Sequence, residues 1–164
     1  MGVWSLDGKT LYFSGNQKDP TQWTTWKANA ETLEVEALAE GCGFVFDISP
    51  DSRFLPSANY PTGLYSLSLA DKKCTLLLPE HASIYDHFSA DGKFVLYLVA
   101  SRGETTIYRQ PWRDGRLTGA AQPAIKLPFA FRHSYLGNAY DFSKDLSTVV
   151  YTRPGGHADL YLLR

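Results

Sequence analysis

At 164 residues, 44% of them hydrophobic and 14% aromatic, the chain is long enough to bury the core of one ordinary domain. Sixteen basic residues stand against 17 acidic ones, a balance that gives no field to hold a polyanion and so excludes a nucleic-acid partner for this segment. No apolar run approaches the roughly 20 residues of a membrane span, and with the first patterned segment starting at Ser5 no secretory leader is expected ahead of it.

In chain order, Met1–Trp4 reads as the tail of a strand. Ser5-Leu6-Asp7-Gly8-Lys9 then makes a turn into strands at Thr10–Ser14, Trp23–Lys27 and Glu34–Leu38. Asn29–Glu40 is rich in helix formers, but the phase of the pattern favours a strand there that ends in a loop at Gly41. A second group follows at Gly43–Ile48, Arg53–Ala58, Gly63–Ser68 and Cys74–Leu78, with the turn Ser49-Pro50-Asp51-Ser52-Arg53 between its first two strands. Pro56 cannot donate to a ladder, so a bulge or break is expected at that point. The third group reads Ile84–Phe88, Lys93–Ala100, Thr105–Gln110 and Ala121–Leu127, with the turn at Ser89-Ala90-Asp91-Gly92-Lys93 and a hairpin at Arg113-Asp114-Gly115-Arg116. The fourth has Ala139–Phe142, the turn Ser143-Lys144-Asp145-Leu146-Ser147, Thr148–Thr152 and Asp159–Leu163, and no fourth strand.

The four Ser-x-Asp turns begin 44, 40 and 54 residues apart. Ser and Asp side chains bond nearby backbone N–H groups, and Gly supplies the positive φ of a tight turn. Ser52 and Leu146 stand where that Gly is expected. The runs after the turns are apolar at nearly every position, which suits strands packed on both faces. Strand groups repeating every ~40–50 residues are the signature of a β-propeller, one four-stranded blade per repeat. The expectation is an all-β, partial propeller of one domain over 1–164, with blades at about 1–40, 41–80, 81–128 and 138–164. An open arc leaves an apolar blade face at each end, which predicts either self-association or further blades upstream.

The motifs Ser49-Pro50-Asp51, Asp91-Gly92-Lys93, Leu64-Tyr65, Ile107-Tyr108 and Leu160-Tyr161 resemble those of TolB-type, WD-repeat-like propellers. Gly137–Ser143 through Asp159–Leu163 is similar to the C-terminal propeller part of bacterial regulators that carry a winged-helix or serine/threonine-kinase domain. The resemblance implies a non-catalytic module that binds a protein or small ligand, the sensor part of a larger bacterial regulatory protein. A tethered, extracytoplasmic position is one setting it allows; the compartment is left open by the residues themselves.

Chemistry-bearing motifs are few. There is no Gly-x-Ser-x-Gly elbow, no phosphate-binding glycine loop and no Cys-x-x-Cys, so no cofactor, metal or catalytic residue is expected. Cys42 and Cys74 read as two small buried hydrophobes ahead of a disulfide or ligand pair. His81, His87, His133 and His157 have no metal-like local spacing. Asp47 and Asp141, each two residues before a repeat Ser, face the axial channel, either as a carboxylate ring or bonded to nearby backbone N–H groups. The alternative function, a glycoside hydrolase or lactonase-like enzyme, would use these carboxylates. Loops on the face opposite the Ser-x-Asp turns supply the binding candidates Arg102, Phe129, Arg132, His133, Tyr135, Arg153 and His157. Aromatics with Arg are the composition of interaction hot spots, although Phe129 and Phe131 could equally pack inward at the blade junction.

Overall fold

The computed structural model describes residues 2–16, 22–59, 63–79, 86–101, 103–128, 140–152 and 160–163. Every regular element among them is a β-strand, and all pairings are antiparallel. The first sheet runs β1 (Gly2–Trp4), β2 (Thr10–Gly15), β3 (Thr24–Asn29), β4 (Val35–Glu40) in that order. The second runs β5 (Phe44–Val45), β6 (Phe54–Asn59), β7 (Gly63–Ser68), β8 (Cys74–Pro79). In the third, β9 (Asp86–Phe88) pairs β10 (Phe94–Ser101), which pairs the long β11 (Glu104–Arg113). The end of β11 folds back as a hairpin with β12 (Arg116–Leu117), and its first half pairs β13 (Gln122–Leu127). The fourth sheet has three strands among the described residues, β14 (Tyr140–Phe142), β15 (Val149–Thr152) and β16 (Leu160–Leu163). Sequential strands laid side by side, sheet after sheet, make a partial β-propeller.

The core lies between the sheets. Val45, Leu55 and Leu67 of the second sheet pack with Leu38 and Tyr12 of the first. Phe88, Val95 and Tyr97 of the third pack with Leu64 and Leu78 of the second. Phe142 and Val149 of the fourth pack with Leu96, Leu98, Ile107 and Leu127 of the third. A strand with apolar residues on both faces is thereby satisfied on both sides, which is why the runs after the turns do not alternate.

Each Ser-x-Asp turn closes in the same way. Asp7 Oδ1 accepts the Ser5 hydroxyl at 2.6 Å and the Lys9 N–H at 3.1 Å, while Ser5 Oγ accepts the Thr10 N–H at 2.9 Å. Ser49–Asp51, Ser89–Asp91 and Ser143–Asp145 repeat the arrangement. Bonding to the Ser5 hydroxyl and the Lys9 amide holds Asp7 below its ordinary 3.8, and the same causes lower Asp91. In the last turn Ser143 and the Ser147 amide bring Asp145 down to about 2. Ser52 and Leu146 take the conformation the missing glycines would have had, at φ 57° and 59°.

Two expectations are corrected. β6 runs unbroken through Pro56, which stands opposite Ser66 without a register shift. The Phe46 N–H donates to the Pro56 carbonyl at 3.3 Å, but Pro56 has no N–H to return the bond. The proline therefore acts on the inner neighbour: β5 stops at Val45 after two paired residues, where β1, β9 and β14 each pair three. The cysteines are also not independent. Cys42, in the connection from β4 to β5, and Cys74, at the start of β8, form a disulfide with Cα atoms 5.8 Å apart. Both still pack in the cluster between the first two sheets, so the buried environment was readable and the pairing was not.

Candidate functional site

The innermost strands bring three repeat-equivalent positions into one row. Asp47, His87 and Asp141 each lie two residues before a repeat Ser, in successive sheets. The His87 Nδ1 is 3.7 Å from Asp47 Oδ2, and its Nε2 is 3.6 Å from Asp141 Oδ1. These separations exceed a direct hydrogen bond. The ring of Phe142 meets His87 edge-on, with centroids 5.4 Å apart.

Asp47 is fully engaged. Its side chain is 7% exposed, and it accepts the Ile48 N–H at 2.9 Å and, from the next sheet, the Phe88 N–H at 2.9 Å. Lys144, from the Ser-x-Asp turn of the fourth sheet, reaches it with Nζ 2.9 Å from Oδ2 and 3.1 Å from Oδ1. Burial pushes the Asp47 carboxyl up, but His87, Lys144 and the two amides outweigh burial and hold it below 3.8. The carboxylate thus ties the second, third and fourth sheets together. The Ala90 N–H, donated to the Lys144 carbonyl at 3.0 Å, adds a backbone link between the same turns.

Asp141 is different. Its Oδ1 accepts the Phe142 N–H at 2.8 Å, yet the side chain is 74% exposed. His87, one-fifth exposed, lies between it and Asp47. With two carboxylates and one ammonium, the row and Lys144 carry a net −1 when His87 is neutral. The row therefore presents one open carboxylate, backed by an imidazole, at the end of the inner strands where the Ser-x-Asp turns lie. Such a group accepts hydrogen bonds from an ammonium, a guanidinium or hydroxyls.

Of the residues singled out from sequence, Asp47 and Asp141 fall in this row. Arg102, Phe129, Arg132, His133, Tyr135, Arg153 and His157 lie outside the described residues, as do His81 and Phe131. His87 and Lys144 are additions. The signal for His87 is its repeat phase, the same offset from Ser as both aspartates; local spacing carries none for Lys144, which is 97 positions from its partner. Among the described residues no group of three or more His, Cys, Asp or Glu side chains converges to hold a metal ion, and no helix is long and apolar enough to cross a membrane.

Antiparallel sheets of three to five strands, packed one against the next, define a partial β-propeller fold. No family model matches the chain, and no curated protein matches it in sequence. Among solved structures it is similar to TolB from Acinetobacter baumannii, with a TM-score of 0.63 and 14% identity over 98% of this chain and 39% of that one. An oligogalacturonate lyase in complex with manganese gives 0.66 and 18%, covering 98% and 48%. The β-propeller domain of the Trilobed protease from Pyrococcus furiosus, described as having an open velcro topology, gives 0.58 and 16%, covering 99% and 54%. The chain thus spans from about two fifths to just over half the length of these chains. At such identities the likeness is one of fold.

Proposed function

We propose that this chain is a non-enzymatic β-propeller module whose inner strands bind a protein or small ligand through a cationic or hydroxyl-bearing group. The observation that carries the reading is the division of labour between the two aspartates. Asp47 is spent on two amides and Lys144, which leaves Asp141 as the open acceptor of the row. A hydrolase working through this channel would instead bring two available carboxylates to one reacting bond. The reading extends to a larger bacterial regulatory protein of which this would be the sensor part, an extension that rests on the repeat resemblance alone.

The test is an imidazole-resolved NMR titration of His87 with spermidine and with an arginine-containing tripeptide, repeated in Asp141→Asn. Saturable shifts in the native chain that vanish in Asp141→Asn support the reading. Turnover of a glycoside, pectate or lactone substrate that is abolished by Asp141→Asn would replace it with the enzyme.

A further inference from the structure

The third sheet carries a feature that no other sheet has among the described residues. The end of β11 runs on past its pairing with β10 and folds back with β12. The tip of this hairpin, Asp114-Gly115, is seated on the second sheet. Gly115 is buried, and a Cβ there would meet the Phe54 ring at 2.5 Å. The Trp112 ring meets Phe54 edge-on with centroids 5.8 Å apart, and Arg53 Nη1 is 3.4 Å from Asp114 Oδ1. These contacts hold the hairpin as a fixed wall over the second sheet.

A cavity of about 300 Å³ lies between the two, at the small end of the range for ligand-binding clefts. Its floor comes from the second sheet. Register sets Ser66 beside Thr75 and Phe54 beside Ser68, and Ser66 and Ser68 alternate onto the same face of β7. Further along that strand the same face carries Leu64, which packs with Phe88, Val95 and Tyr97 of the third sheet. The junction is therefore apolar at Leu64 and changes to hydroxyls where the hairpin overhangs it. Ser66 is 2% exposed, and its Oγ has no hydrogen-bond partner among the described residues. A buried hydroxyl without a partner carries its desolvation cost uncompensated, so it marks a place where a polar group is received.

The charges at the rim divide unevenly. Asp114 is engaged by Arg53. Asp71 takes the Ser68 hydroxyl and, at 3.4 Å, the Lys73 N–H, which hold its carboxyl below 3.8. The Lys73 ammonium and the Arg116 guanidinium, by contrast, have no hydrogen-bond or ion-pair partner among the described residues. Both groups donate and neither accepts, so together they select an anion.

We infer that this cleft binds a small hydroxy acid, its carboxylate on Lys73 and Arg116 and its hydroxyl on Ser66. The anion meets the open cations at the rim, and the hydroxyl supplies the partner that the buried Ser66 lacks. This site is separate from the row of Asp47, His87 and Asp141: it lies on the outer strands of the second sheet and selects the opposite charge.

The experiment is a backbone-amide NMR titration of the native chain with citrate, with tricarballylate (which lacks only the citrate hydroxyl), with sulfate and with putrescine. Citrate is expected to give saturable shifts at Ser66, Lys73 and Gly115, and tricarballylate to bind about three- to tenfold more weakly. Arg116→Gln, at an exposed side chain, should weaken both acids about tenfold. Ser66→Ala should bind the two acids equally, and its urea midpoint should not fall, because the hydroxyl removed has no partner in the fold. A lower midpoint with the citrate preference intact would make Ser66 purely structural and overturn the inference. So would citrate that gives no saturable shift, sulfate that matches it, or putrescine that moves these amides in its place.

Discussion

Removing the Cys42–Cys74 disulfide should cost this fold a large share of its stability, and the amount can be worked from the structure. The bonded residues are 32 positions apart, and in the chain-entropy account opening a loop of that length releases about 3.7 kcal/mol of unfolded-state freedom at 25 °C. The bond also ties the connection between the first and second sheets to the outer strand of the second, so its loss falls on the junction that contains Leu38, Val45, Leu55 and Leu67. For a domain of this size each kcal/mol moves the melting temperature by about 2–4 °C, which predicts a fall of roughly 7–15 °C. Cys42 is fully buried, so reductant alone could act too slowly to reach equilibrium. The double variant Cys42→Ala, Cys74→Ala is therefore melted beside native protein, with and without reductant, and followed by circular dichroism. Thiols are counted in unreduced, urea-unfolded protein. Two reactive thiols, or a variant that melts within about two degrees of the native chain, would refute the reasoning and return the cysteines to separate buried hydrophobes.

The remaining predictions concern the turns and the row. Asp47→Ala leaves the buried Ile48 and Phe88 amides unpaired and should cost about 3 kcal/mol in urea unfolding, whereas Asp141→Ala, at an exposed side chain, should cost much less. Gly8 and Gly92 share positive φ, at 70° and 69°, but a Cβ on Gly8 meets nothing while one on Gly92 runs into the Pro50 ring of the neighbouring turn. Both Gly→Ala variants should lose about 1 kcal/mol or more to backbone strain, with Gly92→Ala the more destabilised; equal losses would mean the turns do not press on one another. Ser52→Gly relieves an exposed residue at φ 57° and should raise stability by roughly 0.5–1 kcal/mol, read as a higher urea midpoint. Asp7, Asp47, Asp91 and Asp145 all have folded pKa values below 3.8, so their contribution is present above about pH 4 and is lost as pH falls through the folded values, about 2 for Asp145. Urea midpoints should therefore be flat above pH 4 and fall between about 4 and 2; a midpoint that rises on acidification would contradict the turn chemistry.

Much of the fold was legible because the turn chemistry is local and repeated. Ser, Asp and a positive-φ residue at fixed offsets announce the first turn of every sheet, and the strand read over Gly63–Ser68 is the strand found. What sequence could not place is contact across sheets. Repeat phase gives the strand a residue belongs to, but not how near its neighbours come. Lys144 reaches Asp47 past an intervening sheet, and Cys42 meets Cys74 because a connecting segment passes the start of an outer strand. Pro56 was legible as a disturbance, while its effect falls on the strand beside it, since a missing N–H is felt by the partner that would have accepted it. His87 lay within reach of sequence. Sorting histidines by local spacing hides it; sorting every residue by distance from the repeat Ser sets it beside Asp47 and Asp141.

The same sorting explains why one short pattern serves both the packing between sheets and the ionic row. Neighbouring positions on a strand point to opposite faces, so the residue before the repeat Ser goes to the preceding sheet and the residue before that goes the other way. The first of these is large and apolar in all four sheets, as any junction between blades requires. The second is free to vary, and it reads Val3, Asp47, His87, Asp141. Val3 packs with the first junction and ends the ionic row there. The other three make a carboxylate, an imidazole and a carboxylate in sequence, of which the inner carboxylate is neutralised and the outer one is open. A repeat that fixes one face for cohesion leaves the adjacent position available for chemistry, and in this chain that position holds both the ionic tie between sheets and the open acceptor.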